Sequence, residues 1–234
     1  MAEPKENKEN SIPSNQIRGE NFAWQEIFQR EGEKGRDAFP DIQENLPEIV
    51  ETFKKAGVKN VLDLGCGQGR HSLYLAENGM NVSGIDFSNA GVEQTQKKLA
   101  VKGLNGYFRQ GDIYDRLPYP DSSLDAIVST QTIDHNYIEK IRELIREMER
   151  VLTPNGMIFI TVAKREKPGK GKEDFEEIAP LTVIPREGTE KGLIHYCFNM
   201  ERLENEFKNN FEIKTWEQSN GIHLCLLGKR KEIK

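Results

Sequence analysis

Three carboxylates and a cluster of glycines are the residues of this sequence whose spacing could do chemistry. The glycines stand in Val61–Gly69, which reads Val-Leu-Asp-Leu-Gly-Cys-Gly-Gln-Gly, and the acids are Asp63, Asp86 and Asp112. A glycine-rich turn lets a nucleotide-bearing ligand approach the backbone, and an acid ending the next strand can accept two ribose hydroxyls. The G-x-G-x-G spacing differs from the G-x-G-x-x-G of dinucleotide turns. Asp63 would repel a pyrophosphate but suits a cationic ligand.

Each of these features has a plainer interpretation by itself. Glycines also occur wherever a helix packs tightly on a strand, and any one acid could be an ordinary strand-end or helix-capping residue. The three acids, however, each follow a different predicted strand. Because parallel strands present their carboxyl ends at one edge of a sheet, the combination indicates a binding site there.

The elements that must position these residues alternate along the chain. Strand-like and helix-like segments in this order predict a parallel sheet with helices on both faces. Two late strands, 211–217 and 222–228, are joined by only Gln218–Gly221, so we expect an antiparallel hairpin at one edge. The predicted strands are 61–64, 82–85, 107–110, 124–130 and 157–163, and the predicted helices are 42–57, 70–78, 88–100, 138–152 and 200–209.

Composition excludes several function classes. The 33 basic and 38 acidic side chains give a net charge of −5, which argues against a broad nucleic-acid-binding face. No apolar run reaches the ~20 residues of a membrane helix, and the N-terminus lacks the apolar core of a secretion signal, so we expect a cytoplasmic protein. Cys66, Cys197 and Cys225 form no CxxC pair, which predicts neither zinc nor disulfides. A thiol-bound metalloid site using all three stays open.

These motifs together resemble the class I S-adenosylmethionine-dependent methyltransferases over about residues 40–163, with a fit through to 229. Val61–Arg70 is similar to the first motif of that superfamily, Leu124–Val128 to its fourth strand, and Leu152–Met157 to the turn into its fifth. The resemblance implies an α/β, Rossmann-like, seven-stranded and mostly parallel sheet with a C-terminal antiparallel hairpin. We therefore expect a disordered leader over 1–20 and one methyltransferase domain over 21–234.

The resemblance also implies S-adenosylmethionine as cofactor and assigns residues to its parts. Asp63 and the glycine loop would hold the methionine part, Asp86 the ribose, and Asp112 with Ile113 the adenine. Phe87 would pack on the adenine ring, and Gln131 would face the methionine end. The loop residues concerned are Gly65, Cys66, Gly67 and Gly69.

The methyl acceptor is less constrained by the sequence. His135, just after the fourth strand, is either a general base or a helix-start histidine with a structural hydrogen bond. His195 lies in 164–198, which we interpret as a substrate-side insertion or lid that begins with a mobile loop over 164–177, and His195 either contacts substrate or packs. Trp24 and Phe28 form either a flap over the cofactor or the apolar face of a first helix.

The surrounding sequence favours a small-molecule acceptor and a monomer or homodimer. Ser129–Thr132 follows the fourth strand where amino-methylating nucleic-acid enzymes carry an Asn-Pro-Pro-Tyr-like motif. The layout is similar to small-metabolite, thiol or tellurite-type methyltransferases. Two alternatives stay open: a cofactor-binding module or partner subunit without turnover, and a methyltransferase acting on protein or tRNA.

Overall fold

A seven-stranded sheet forms the centre of the protein. The structure, a computed structural model, describes residues 14–35, 37–166, 175–188 and 190–232. The strand order is β3-β2-β1-β4-β5-β10-β9. Strands β1 to β5 run parallel, and β10 pairs antiparallel with both β5 and β9. The strands are β1 (Asn60–Leu64), β2 (Asn81–Asp86), β3 (Gly106–Gln110), β4 (Leu124–Thr130), β5 (Leu152–Ala163), β9 (Phe211–Glu217) and β10 (His223–Arg230).

Helices cover both faces of this sheet, because its central strands are apolar on both sides. Val61 of β1 belongs to one buried cluster, while Leu62 and Leu64 belong to the other. The α5 helix packs with Leu62, and α2, α3 and α4 pack with Val61. The predicted Rossmann-like sheet and its hairpin are confirmed. The helices are α1 (Ser14–Glu33), α2 (Leu46–Lys55), α3 (Arg70–Glu77), α4 (Asn89–Val101), α5 (Ile138–Val151) and α6 (Met200–Phe207).

A second, three-stranded antiparallel sheet was not predicted. It consists of β6 (Phe175–Ala179), β7 (Thr182–Pro185) and β8 (His195–Tyr196). The prediction of a loop over 164–177 is therefore wrong from Phe175, where β6 begins. The glycine-rich part of that predicted loop, 167–174, lies outside the described residues. The strand β5 starts at Leu152 instead of Met157. The residues predicted to form a turn, 153–156, lie within this strand at a register shift between β5 and β4.

The first helix begins inside the segment predicted to be a disordered leader. The backbone of α1 is helical from Ser14, so the folded part starts there instead of at residue 21, and residues 1–13 lie outside the described part. The Gln25 Oε1 atom accepts hydrogen bonds from Ser88 Oγ and Ala90 N, at 2.9 and 3.2 Å. These bonds fix α1 against the start of α4. Within the described ranges, no helix has both the length and the apolar character needed to cross a bilayer.

Candidate functional site

A large cavity lies at the carboxyl edge of β1, β2, β3 and β4. The space free of protein atoms there is about 1110 Å³, a figure that includes open solvent at its mouth. The strand ends meet there because the sheet is parallel, as the sequence pattern predicts. Of the predicted site residues, all but Asp63, Gly69 and His195 line the cavity: Gly65, Cys66, Gly67, Asp86, Phe87, Asp112, Ile113, Gln131 and His135.

The glycines of the loop between β1 and α3 are required both by the backbone conformation and by the close approach of neighbouring side chains. Gly65, Gly67 and Gly69 have φ angles of 81°, 49° and 81°, a region that side chains disfavour. A Cβ atom on Gly65 would lie 2.3 Å from the Thr132 side chain, and one on Gly69 would lie 2.6 Å from Thr95 Oγ1. The loop therefore packs closely against the segments that follow β4 and β2.

Asp86 ties this loop to the end of β2. Its Oδ2 atom accepts a hydrogen bond from Gly67 N and its Oδ1 atom accepts one from Ser88 N, both at 2.8 Å. Burial raises the pKa of Asp86 to about 6, although these two backbone donors oppose the shift. Each carboxylate oxygen can accept a further hydrogen bond. Asp86 can thus hold the loop and still accept ligand hydroxyls.

Asp63 lies behind the cavity wall. Its side chain is buried and accepts a 2.5 Å hydrogen bond from Ser72 Oγ, which connects β1 to α3. Burial also raises its pKa to about 6. The interaction of Asp63 with a ligand would be electrostatic, through the loop, instead of a direct contact.

Arg70 is a cavity residue that the sequence reasoning missed. It begins α3 directly after the glycine loop, and this position is the signal that could have identified it. Its guanidinium donates a 3.0 Å hydrogen bond to the Asp41 carbonyl and lies 5.6 Å from the Phe39 ring centre. Among the described residues it forms no salt bridge, so Arg70 can meet a ligand carboxylate.

Helix α1 closes one side of the cavity with aromatic rings. Trp24 and Phe28 both line it and stack with centroids 5.6 Å apart. Trp24 also contacts His135 edge-on, at a centroid distance of 5.4 Å, and lies 6.2 Å from the Phe39 ring. This arrangement places an aromatic wall opposite the segment that follows β4.

His135 and His195 come together, although 60 positions separate them in the sequence. Their ring centroids are 4.5 Å apart, and only His135 lines the cavity. His195 is almost fully buried behind it, 3.9 Å from Asp134 Oδ2 and 3.5 Å from Glu190 Oε2. Within the predicted 164–198 insertion, Glu190 and Leu193 reach the cavity wall.

The cysteines do not form a common site. Cys66, Cys197 and Cys225 are each buried and free of disulfides. No group of three His, Cys, Asp or Glu side chains in the described part of the chain could hold a metal ion. The metalloid alternative is therefore not supported by the arrangement of these thiols.

The sheet order and the glycine loop are those expected of the class I S-adenosylmethionine-dependent methyltransferases, whose cofactor is S-adenosylmethionine. Residues 61–156, less than half of the chain, match the family model described as "Methyltransferase domain". A methyltransferase of this class from Clostridium acetobutylicum has the same fold, with a TM-score of 0.66 at 12% identity over 92% of this chain and 99% of that one. At this identity the likeness concerns the fold alone.

Relatives in sequence act on different acceptors. The chain is 33% identical over 108 residues to the fatty-acid O-methyltransferase of Mycolicibacterium smegmatis, covering 45% of this chain and 38% of that protein. It is also 33% identical over 112 residues to the ribosomal RNA small subunit methyltransferase C of Alcanivorax borkumensis, covering 46% and 33%. The chain thus spans well under half of each of these curated relatives, and the shared part does not fix the acceptor.

The raised pKa values of Asp63 and Asp86 predict a pH dependence of cofactor binding. Both carboxyls have a pKa of about 6 against an ordinary 3.8, so the folded protein holds protons there that the unfolded chain releases. Their contribution to stability without cofactor is therefore largest below about pH 4 and falls as the pH rises through 6. A sulfonium cation favours the ionised carboxylates, so the increase in melting temperature caused by S-adenosylmethionine should grow between pH 5 and 7.5.

Thermal unfolding with and without cofactor at three pH values measures this growth. Asp63→Asn should flatten the dependence, because it removes one of the two titrating groups while keeping the bond to Ser72. An increase in melting temperature that is the same at pH 5 and 7.5 would contradict the prediction.

Proposed function

We propose that this protein transfers the methyl group of S-adenosylmethionine to a small-molecule acceptor held in the cavity beside Trp24 and His135. The observation that carries the proposal is the mixed lining of the cavity. The glycine loop and the strand-end acids line it together with an aromatic wall, which runs from Phe28 beside Gly67 to Trp24 beside His135, and with Glu190 and Leu193. The acidic net charge of −5 favours this acceptor over the nucleic-acid alternative.

The glycine loop and the strand-end residues fit the cofactor. The loop residues Gly65 to Gly67 would hold its methionine part with Gln131, and Arg70 would meet the methionine carboxylate. Asp86 would accept the ribose hydroxyls, while Phe87, Asp112 and Ile113 would surround the adenine. When bound, S-adenosylmethionine supplies an electrophilic methyl group on a positively charged sulfur.

The aromatic wall would orient the acceptor and exclude water. Trp24 and Phe39 offer apolar ring faces, and His135 offers an imidazole that can take a proton. His195 does not reach the cavity, so we assign it a positioning role behind His135. Alignment of the reacting atoms in a closed site accounts for much of the rate of such displacement reactions.

Release of S-adenosylhomocysteine tests this function directly. The purified protein is incubated with methyl-labelled cofactor and a small-metabolite extract, with parallel samples containing ribosomal RNA, tRNA or total protein. We expect label in the small-molecule fraction. Cofactor binding without product in any fraction would favour the non-catalytic alternative, and label confined to a macromolecule would overturn the acceptor class.

Asp86 should be essential for cofactor binding. Asp86→Ala removes the ribose partner and also the acceptor of the Gly67 and Ser88 amides, so we expect affinity to fall by about 2–3 kcal/mol, or 30- to 150-fold. Asp86→Asn should lose less, because its amide oxygen still accepts one of the two backbone bonds. Calorimetric titration of S-adenosylhomocysteine measures both. Wild-type affinity in Asp86→Ala would exclude Asp86 from the site.

A further inference from the structure

Around His135 lies a polar group of residues that the cofactor site does not use, in which Asp134 and His195 are buried and His135 and His223 are partly buried. We call these four residues the histidine cluster: the His135 and His195 rings are in contact, Asp134 lies beside His195, and His223 lies within electrostatic range of Asp134. Four of its atoms are buried and make no hydrogen bond to the described residues: Asp134 Oδ1, His135 Nδ1, His195 Nε2 and His223 Nδ1. Buried polar atoms without partners are rare and costly, so their concentration beside the cavity calls for a functional explanation.

Asp134 gives this cluster its charge. It is 2% exposed, and its Oδ2 atom lies 3.9 Å from His195 Nδ1. Burial raises the pKa of Asp134, but the nearby His195 ring and the charges of His135 and Arg165 outweigh it and bring the pKa down to about 2. Burial lowers the pKa of His195, and Asp134 opposes that shift. At neutral pH the cluster therefore holds a buried anion beside an uncharged His195 ring.

Other charged groups face the cluster from every neighbouring element. The Arg165 guanidinium, after β5, lies 3.4 Å from His195 Nδ1, and Glu190, before β8, lies 3.6 Å from Arg165. Burial lowers the pKa of His223, at the start of β10, and the positive charge of Arg70, in α3, lowers it further. Glu190 also faces His195, with 3.5 Å between its Oε2 atom and His195 Nε2, but its side chain is 36% exposed against 3% for Asp134. Asp134 is thus the fully buried anion that the His135–His195 pair faces.

We propose that the acceptor carries a weakly acidic hydroxyl or thiol, and that Asp134 stabilises the positive charge which the His135–His195 pair gains on removing its proton. This inference rests on the proposed function. As the acceptor oxygen or sulfur forms its bond to the methyl carbon, its proton moves to the imidazole of His135. The electron pair of the broken carbon–sulfur bond stays on the cofactor sulfur, which becomes a neutral thioether.

The chemistry of the cluster distinguishes this acceptor from an amine. An uncharged amine is already a good nucleophile and can attack before it loses a proton. A hydroxyl or thiol gains its full nucleophilicity only as the proton leaves, and the base that takes the proton becomes a cation. A buried carboxylate that is already ionised lowers the energy of that cation. Asp134 is therefore a positioning residue, since it acts through the imidazoles without reaching the cavity.

The first test identifies the atom that is methylated. Phenol, benzenethiol and aniline share the flat shape that the Trp24 and Phe39 rings suit, and they differ in the nucleophilic atom. With labelled cofactor we expect methyl transfer to phenol or benzenethiol, or an oxygen- or sulfur-methylated product from the metabolite extract. Transfer only to aniline, or an extract product methylated on nitrogen or carbon, would overturn the proposal. Absence of any product would instead count against the proposed function.

The second test asks whether Asp134 acts electrostatically. In cofactor-free Asp134→Asn, NMR titration should place the midpoint of the His195 ring about one pH unit below wild type. The acidic limb of the kcat profile should move in the same direction, with cofactor affinity within twofold. Asp134→Glu keeps the charge and should restore the midpoint. Asp121→Asn removes a surface carboxylate paired with Arg150 and serves as the control.

Two results would refute this role. An unchanged His195 midpoint together with a lower melting temperature would make Asp134 a structural residue. A raised KM with an unmoved acidic limb would mean that the charge of Asp134 serves acceptor binding instead of proton transfer, which the proposal excludes.

Discussion

Gly65→Ala should both destabilise the protein and abolish measurable cofactor binding. Gly65 has a φ of 81°, which costs a residue with a side chain about 1–2 kcal/mol. The new methyl group would also lie 2.3 Å from the Thr132 side chain, and such overpacking costs a further ~1–3 kcal/mol. Both Gly65 and Thr132 line the cavity, so relief of the clash by movement of either one changes the shape of the cavity wall. We expect a total loss of about 3 kcal/mol in the free energy of unfolding.

Gly79→Ala is the matched control for this prediction. Gly79 follows α3 with a φ of 84°, nearly that of Gly65, yet a Cβ atom there would have no neighbour within 4 Å. It should therefore lose only the conformational part, about 1–2 kcal/mol, and keep full cofactor affinity. Urea unfolding gives the free energy of unfolding of both variants, and titration with S-adenosylhomocysteine gives their affinity. The comparison separates the cost of the backbone conformation from the cost of the clash with Thr132. Equal losses in the two variants would show that the contact with Thr132 is unimportant.

The sequence was sufficient for the sheet because each strand carries its own signal. The strands β1 and β2 end at a glycine and an acid, and the strands β1, β2 and β4 are each followed by a helix with a readable periodicity. The hairpin was predictable because Gln218–Gly221 is too short for a crossover. These features depend on neighbours in the chain, and a single sequence records them directly.

The second sheet and the histidine cluster depend on contacts between distant segments. The strand β8 has two residues, too few for any pattern to indicate it. His195 reaches His135 because Tyr196 N donates a 2.7 Å hydrogen bond to the Asp134 carbonyl, a pairing that no local motif specifies. Sequence reasoning therefore selected both histidines by type and position, but could not tell that one lines the cavity and the other lies behind it.

His135→Ala should reduce kcat by between about 100- and 10,000-fold, the usual range for loss of a general base. Cofactor affinity should stay within twofold, because all the groups proposed for the cofactor except Gln131 follow other strands. His135→Gln has a similar size and keeps the contact with Trp24, but it cannot take up a proton. We expect it to be as inactive as His135→Ala. Activity retained in the glutamine variant would show that His135 only packs against Trp24.

His195→Ala completes the comparison, since His195 is buried beside His135 and has no access to the cavity. Its loss should lower kcat by about 10-fold and also lower the melting temperature, because truncation leaves a space next to the charged Asp134. In the double variant His135→Ala/His195→Ala, kcat should be no lower than in His135→Ala alone, as residues acting as a unit are not additive. Steady-state kinetics with the acceptor identified above gives all three values. Multiplicative losses would mean that the two histidines act independently, and that His195 has a role of its own in the reaction.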